Sequence, residues 1–216
     1  MATHSKQRAL TLPMRTDTLA TLLQSRRSVR KFQDRAVARE LIEEILEAAR
    51  WAPSPHGRQP WRFVVLTRPQ AKTLLADRMG DTWRHNLKMD GQETEIVNLR
   101  LDKSRQRILS APVIIIPCLY LEELDRYSDE RRQADETTMA IQSIGAAIQN
   151  MLLMAYDLGL DAGWMCAPLF CPEVVVDALK LDTCLIPQAM ITVGYAAADP
   201  KRRDRLPLSS LVVRFD

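Results

Sequence analysis

The stretch "DETTMAIQSIGAAIQNMLLMAYDLGL", residues 135–160, is the longest helical pattern in the chain, and any fold has to be built around it. Met139, Ile144, Ala147, Ile148, Met151 and Ala155 fall on one wide face at helical spacing. The small residues among them permit close approach of whatever packs there. Such a helix belongs at the centre of a molecule rather than at its surface.

The elements on either side fit that role. "VARELIEEILEAARWA" carries Leu41, Ile42, Ile45, Leu46 and Ala49 as an amphipathic stripe, with Arg39 and Glu43 one turn apart on the outer face. Pro53 ends it, because proline lacks the helix donor and its ring clashes with the preceding turn. "WRFVVLT" reads as a strand, residues 69–91 as a helix opened by Pro69, and residues 93–110 as a very polar helix. "PVIIIPCLYL" suits a strand buried on both faces, although Pro117 demands a bulge, an end or an edge. Residues 122–134 read as a charged loop; "DAGWMCA", helix "PEVVVDALK", strand "QAMITVGYA" and the basic tail "DPKRRDRLP" follow. Helices and strands do not alternate as in a doubly wound sheet. The expected class is α+β, a small mixed central sheet flanked by helices.

Length and charge narrow the function. The 216 residues, 46% of them hydrophobic, suit one domain with a real core, preceded by a loose arm over residues 1–16. Thirty basic and 27 acidic residues leave a formal charge of +3, too balanced for a dedicated nucleic-acid binder. The N-terminus has no apolar h-region and "APVIIIPCLYL" is far too short to span a bilayer, so a cytoplasmic location without membrane attachment is expected. Cys118, Cys166, Cys171 and Cys184 read as reduced core thiols. The spacing of Cys166 and Cys171 has no histidine near it in sequence, so no metal site is expected.

Several sharp signatures are absent: G-x-G-x-x-G, the P-loop, H-E-x-x-H and G-x-S-x-G. Local charge carries the signal instead. "RRSVRKF" gathers Arg26, Arg27, Arg30 and Lys31 around Ser28, and planar guanidinium forks beside a hydroxyl match a phosphate in shape and charge. Taken alone, this run equally suits a solvated surface. Lys201, Arg202, Arg203 and Arg205 form a second cluster, and the two become a site if they converge. In "APSPHGRQPW", Pro53, Pro55 and Pro60 remove backbone freedom, so Ser54 and the amides from His56 to Gln59 are held without a large ordering cost.

The ordered set "SRRSVRKF", "LIEEILEAARWAPSPHGRQPWRFVV", "SIGAAIQNMLLMAYDLGLDAGWM" and "VGYAAADPKRRDRLP" resembles the FMN-dependent nitroreductase family across most of the chain. The resemblance implies a nitroreductase-like α+β homodimer, with FMN at the subunit interface and the long helix in the dimer core. It places the FMN phosphate and the flavin's polar edge on Arg26, Arg27, Ser28 and Arg30, with Arg203 and Arg205 completing the phosphate grip. It sets Pro53, Ser54 and Pro55 against the isoalloxazine ring from the other subunit. Gly57 stands where the family's loop carries an asparagine, and His56 is a candidate substrate contact. Backbone N–H groups of Met165, Cys166 and Ala167 would face flavin N5. Cys166 and Ala167 replace a common acidic residue and a common glycine, which removes any carboxylate role there.

No catalytic side chain is implied, since the chemistry occurs at flavin N5. Residues 69–91, "PQAKTLLADRMGDTWRHNLKMDG", further resemble the nitroreductase-like C-terminal domain of bifunctional γ-glutamyl ligases that make a deazaflavin coenzyme. That implies reduction of the dehydro form of the coenzyme precursor, with a reduced nicotinamide (NADPH) or a reduced deazaflavin as donor. A general NAD(P)H-dependent nitro or quinone reductase, and a flavin- or deazaflavin-binding module without turnover, are the alternatives.

Overall fold

A computed structural model describes residues 18–200 and 203–216. The arm expected over residues 1–16, together with Lys201 and Arg202 of the second basic cluster, lies outside the described residues. In chain order the elements are α1 (Leu19–Ser25), α2 (Arg39–Arg50), β1 (Trp61–Leu66), α3 (Pro69–Met89), α4 (Thr94–Ser110), β2 (Val113–Tyr120), α5 (Glu130–Asp157), β3 (Asp161–Met165), α6 (Pro172–Leu179), β4 (Leu185–Pro187) and β5 (Met190–Gly194).

The sheet runs β1-β2-β5-β3, with β4 paired to β2. Its ladders are antiparallel. The parallel component of the mixed sheet is a single bridge, Ser28 to Ala162.

Strand β2 organises the core because its side chains alternate between two faces. Val113, Ile115 and Leu119 pack with Ile45, Ala49, Ile148 and Met151 of α2 and α5 on one side. Ile114, Ile116 and Cys118 pack with Leu75, Met79, Ile108 and Val175 of α3, α4 and α6 on the other. Both faces are therefore covered, and each large apolar side chain buried there contributes about 1.5–3 kcal/mol. Pro117 sits where the sequence demands an irregularity. Opposite Ile116 and Pro117 lie three residues, Gln188 to Met190, so the partner edge bulges between β4 and β5. Gln188 N–H closes the bulge on Pro117 O at 2.9 Å.

Helix α5 starts at Glu130, inside the stretch expected to be loop, because the Asp129 carboxylate caps it by accepting the Arg132 N–H at 3.0 Å. The expected stripe is buried at Ile144, Ala147, Ile148, Met151 and Ala155, whereas Met139 is 37% exposed. Among the described residues α5 is long and apolar enough to cross a membrane, but 44% of that window is buried within the chain. Thr137 to Tyr156 contain no charged residue, yet Ile141 is also exposed and a Cβ added at Gly145 would meet nothing within 4 Å. Within that span the exposed positions are Thr138, Met139, Ile141 and Gln142, a charge-free patch in the N-terminal half of the helix.

Lys72 of α3 is buried and donates to Ala111 O at 2.7 Å and Pro112 O at 3.2 Å. It thereby caps the C-terminal end of α4, where carbonyls lack helix donors and the dipole favours a cation. Burial pulls its pKa down, partly offset by Asp34. Pro112, so held, lies against Gly194, where a Cβ would approach its Cδ to 2.6 Å and Phe32 Cδ1 to 3.0 Å. This contact fixes the course of the basic run.

Candidate cofactor site

The basic run leaves α1 as an extended segment and is knitted to the sheet at both ends. Val29 N–H donates to Ala162 O of β3 at 2.9 Å, while Gln33 N–H donates to Tyr195 O at 2.8 Å and Ala197 N–H to Lys31 O at 3.0 Å. Val29 and Phe32 are buried, and Ser28, Arg30 and Lys31 face outward. The close passage against β3 depends on a missing side chain. A Cβ at Gly163 would lie 2.3 Å from Val29 O and 2.9 Å from Thr192 Oγ1.

The arginines of the run do different things. Arg27 Nη1 donates to Gln24 O at 2.9 Å, Arg26 O at 3.1 Å and also Ser25 O, so its guanidinium serves the carbonyls at the end of α1. Arg26 Nε is buried without a hydrogen-bond partner. Burial first, then the like charges of Arg205 and Arg27, pull the Arg26 guanidinium below its ordinary value. The N-terminal and C-terminal basic clusters thus converge through Arg26 and Arg205, with Arg203 exposed nearby in sequence. A cation with a desolvated, unpartnered donor, in the field of a second cation, fits an anion with several acceptor oxygens, such as a phosphate.

The proline-rich loop follows α2. Pro55–Gly57 form a 3₁₀ turn packed against α5. His56 (φ 53), Gly57 (φ 68) and Gln59 (φ 50) all lie in the left-handed region, two of them without the freedom of glycine. Three of the four amides expected to be held here are bonded inside the loop. Gly57 N–H donates to Ser54 O at 3.1 Å, Arg58 N–H to Pro55 O at 3.1 Å and Gln59 N–H to Ser54 Oγ at 3.0 Å. Ser54 is therefore the loop's internal clasp, and its hydroxyl proton is left to donate outward. His56 is exposed, with Nε2 at 3.8 Å from Asp125 Oδ2. Arg58 reaches the same loop, at Glu123 O (2.6 Å) and Asp125 Oδ1 (2.5 Å).

The third segment lies at the end of β3. Met165 is half-buried, Cys166 is exposed, and Ala167 opens a 3₁₀ turn, Ala167–Phe170. The first N–H groups of such a turn have no partner within it and remain available as donors. Two cavities of the chain lie elsewhere, about 420 Å³ beside Tyr127, Asp129 and Gln133 and about 290 Å³ between Arg78, Glu173 and Asp177. Neither contains a candidate residue.

The expectation of four core thiols holds for Cys118 and Cys171, which are buried, but not for Cys166, which is exposed, or Cys184, which is half-buried. Cys118 is fully buried and its pKa is pushed up to about 12 by burial, whereas Cys166 is exposed. Titration of the native protein with a thiol reagent should label Cys166 first and leave Cys118 unreacted until the chain unfolds. Rapid native labelling of Cys118 would contradict this placement.

The contact of Gly163 with Val29 O and the bond from Arg58 to Asp125 were not legible in the sequence. Arg58 lies inside the loop motif itself, and Asp125 inside the charged stretch before α5.

A family model described as the nitroreductase family matches residues 23–195. The chain is 29% identical to an NADH dehydrogenase of Thermus thermophilus, over 94% of this chain and 98% of that protein. Among solved structures, a chain from Desulfovibrio desulfuricans described as a nitroreductase and solved in complex with FMN is 28% identical, with a TM-score of 0.71 over 93% of this chain and 99% of that one. A BluB-like flavoprotein from Clostridium difficile shares the fold at a TM-score of 0.78, with 24% identity over 93% of this chain and all of that one.

Proposed function

The chain belongs to the nitroreductase family, and from that premise we propose that it is an FMN-dependent oxidoreductase, one nitroreductase-like unit that works as a homodimer. The observation that carries the reading is the buried, unpartnered Nε of Arg26 beside Arg205. An anionic group placed there relieves both the lost hydrogen bond and the like-charge crowding. The FMN phosphate supplies that group.

Arg26 and Arg205 hold the phosphate, with Arg203 adding charge at its rim. Ser28 and Arg30, exposed on the extended run, take the polar edge of the flavin, while Arg27 fixes the run to α1. The uncovered, charge-free side of α5 packs on a second copy, and its open notch at Gly145 lets the two helices approach closely. The proline-rich loop then lays Pro53, Ser54, Pro55 and Gly57 against the partner's flavin, Ser54 donating its free proton. Backbone donors of Met165, Cys166 and Ala167 orient the reacting edge, and His56 lies where an acceptor enters. When bound, FMN supplies hydride transfer at its N5.

A reduced nicotinamide is the donor, supported by the likeness to an NADH dehydrogenase. For the acceptor we favour the dehydro form of a deazaflavin-coenzyme precursor, supported by residues 69–91, which form α3 and the turn after it; a reduced deazaflavin is then a second possible donor. The general reductase is the second reading, since the same nicotinamide likeness favours it.

The test is to purify the protein, release and identify its chromophore, and assay the FMN-loaded enzyme with NADH and NADPH. The precursor and a nitroaromatic are compared as acceptors. Turnover of the precursor at a kcat/KM at least tenfold above the nitroaromatic supports the first acceptor. The reverse order supports the general reductase. A protein that takes up no flavin in any preparation overturns the enzyme reading.

A further inference from the structure

The charged stretch between β2 and α5 has no part in the reading above, yet two of its residues grip the proline-rich loop. Arg58 donates through Nη1 to Glu123 O at 2.6 Å and through Nη2 to Asp125 Oδ1. The other oxygen of the same carboxylate, Asp125 Oδ2, faces His56 Nε2 at 3.8 Å. A second link runs from Arg62 at the start of β1, whose Nη2 lies 3.3 Å from Glu123 Oε1 and whose guanidinium lies 4.2 Å from the centroid of the Tyr120 ring.

The gripped segment is the strained one. His56 and Gln59 hold left-handed backbone conformations that non-glycine residues avoid, and such conformations persist only where the surroundings over-determine them. Inside the loop, Ser54 supplies two restraints, through its carbonyl and its hydroxyl. Arg58 N–H to Pro55 O adds a third, and from outside the loop the Arg58 guanidinium is held by Glu123 O and by the Asp125 carboxylate, whose other oxygen lies 3.8 Å from His56 Nε2. The pair is about two-fifths exposed, at 37% for Arg58 and 39% for Asp125, so it adds little to global stability.

We propose that Asp125 is a positioning residue for the cofactor. Through Arg58 it holds the Pro53–Gln59 loop in the conformation that receives the flavin ring, without touching the flavin itself. This rests on the FMN reading given above. Strain of this kind at a ligand-facing loop is preorganisation, in which ordering is completed before the ligand arrives.

The experiment is a double-mutant cycle on FMN affinity, with Asp125→Asn, Arg58→Leu and their combination, plus Asp125→Glu as the conservative variant. FMN binding is followed by quenching of flavin fluorescence, and the bound state by visible circular dichroism of the flavin. Expected are a five- to tenfold rise in Kd for each single variant and no further rise in the double variant, as befits one shared interaction. Asp125→Glu should recover at least half of the affinity in logarithmic units. The flavin dichroism should change in Asp125→Asn while the apo melting temperature stays within about 2 °C of wild type, in keeping with the small worth of an exposed pair. A purely structural role would move the melting temperature and leave the dichroism alone. Wild-type protein that binds FMN together with an Asp125→Asn variant of equal affinity and identical dichroism overturns this inference alone, as do additive effects in the cycle. Failure of the wild type to bind FMN overturns the functional reading and this inference with it.

Discussion

Arg26→Ala is expected to purify colourless, with its FMN dissociation constant raised roughly 30- to 150-fold. The magnitude follows from removing a charge-assisted hydrogen-bonding group worth about 2–3 kcal/mol, where each 1.4 kcal/mol is a factor of ten. Arg205→Ala should show a smaller effect of the same sign, because Arg205 is exposed and solvent screens it. The apo protein behaves in the opposite way. In the free chain Arg26 is desolvated, lacks a partner at Nε and faces the like charges of Arg205 and Arg27, so its removal should leave the apo melting temperature unchanged or raise it. A residue conserving the fold would lower that temperature; a residue kept for a ligand would not. With FMN supplied in excess, kcat should stay within about twofold of wild type, since this side chain anchors the cofactor far from the reacting atoms. A variant that retains FMN and loses turnover would show that Arg26 acts in the chemistry instead.

Gly163→Ala should be the most damaging single methyl group in the site. Its Cβ would stand 2.3 Å from the carbonyl oxygen of Val29 and 2.9 Å from Thr192 Oγ1. Thr192 Oγ1 can rotate away, although it donates to Gly163 O at 3.3 Å. The Val29 carbonyl cannot move without breaking the bond between Val29 N–H and Ala162 O and taking the basic run with it. A cost of about 3 kcal/mol or more is expected, as for overpacking against backbone, which corresponds to a fall of about 6–12 °C in melting temperature for a chain of this size. Thermal denaturation with and without FMN measures it. Because the run that shifts carries Ser28 and Arg30, FMN should also rescue less stability in the variant than in wild type. An unaltered melting temperature would mean that the run does not pass against β3 as described.

The parts of the fold that could be read from the sequence were those with a strong period. The two-faced burial of β2, the stripe of α2 and the core side of α5 all follow from where apolar residues recur. The bulge opposite Pro117 follows from the missing donor of proline. Strand β4 was not legible, because three residues ending in proline carry no period. The first turn of α5 was missed because its residues are charged, and the Asp129 cap outweighed composition. For the site, both basic clusters were visible, but not the division of labour within them. Sequence spacing cannot distinguish Arg26, left unpartnered at Nε, from its neighbour Arg27, folded back on α1. The role of Gly163 was likewise hidden, since it depends on a segment more than a hundred residues away in sequence passing within contact of its Cα.

That passage has a consequence for the chain as a colloid. β3 lies at the end of the strand order, with one side paired to β5 and the other open to any passing strand were it not for Ser28 and Val29. An uncovered edge invites pairing with another molecule. The segment that shields it is the same one that crowds Arg26 against Arg205. When no anion neutralises that crowding, repulsion acts on the shield itself, so cofactor loss and edge exposure are coupled. Under the proposed function, the FMN-loaded protein is therefore expected to aggregate more slowly than the apo form, as light scattering at equal concentration would measure.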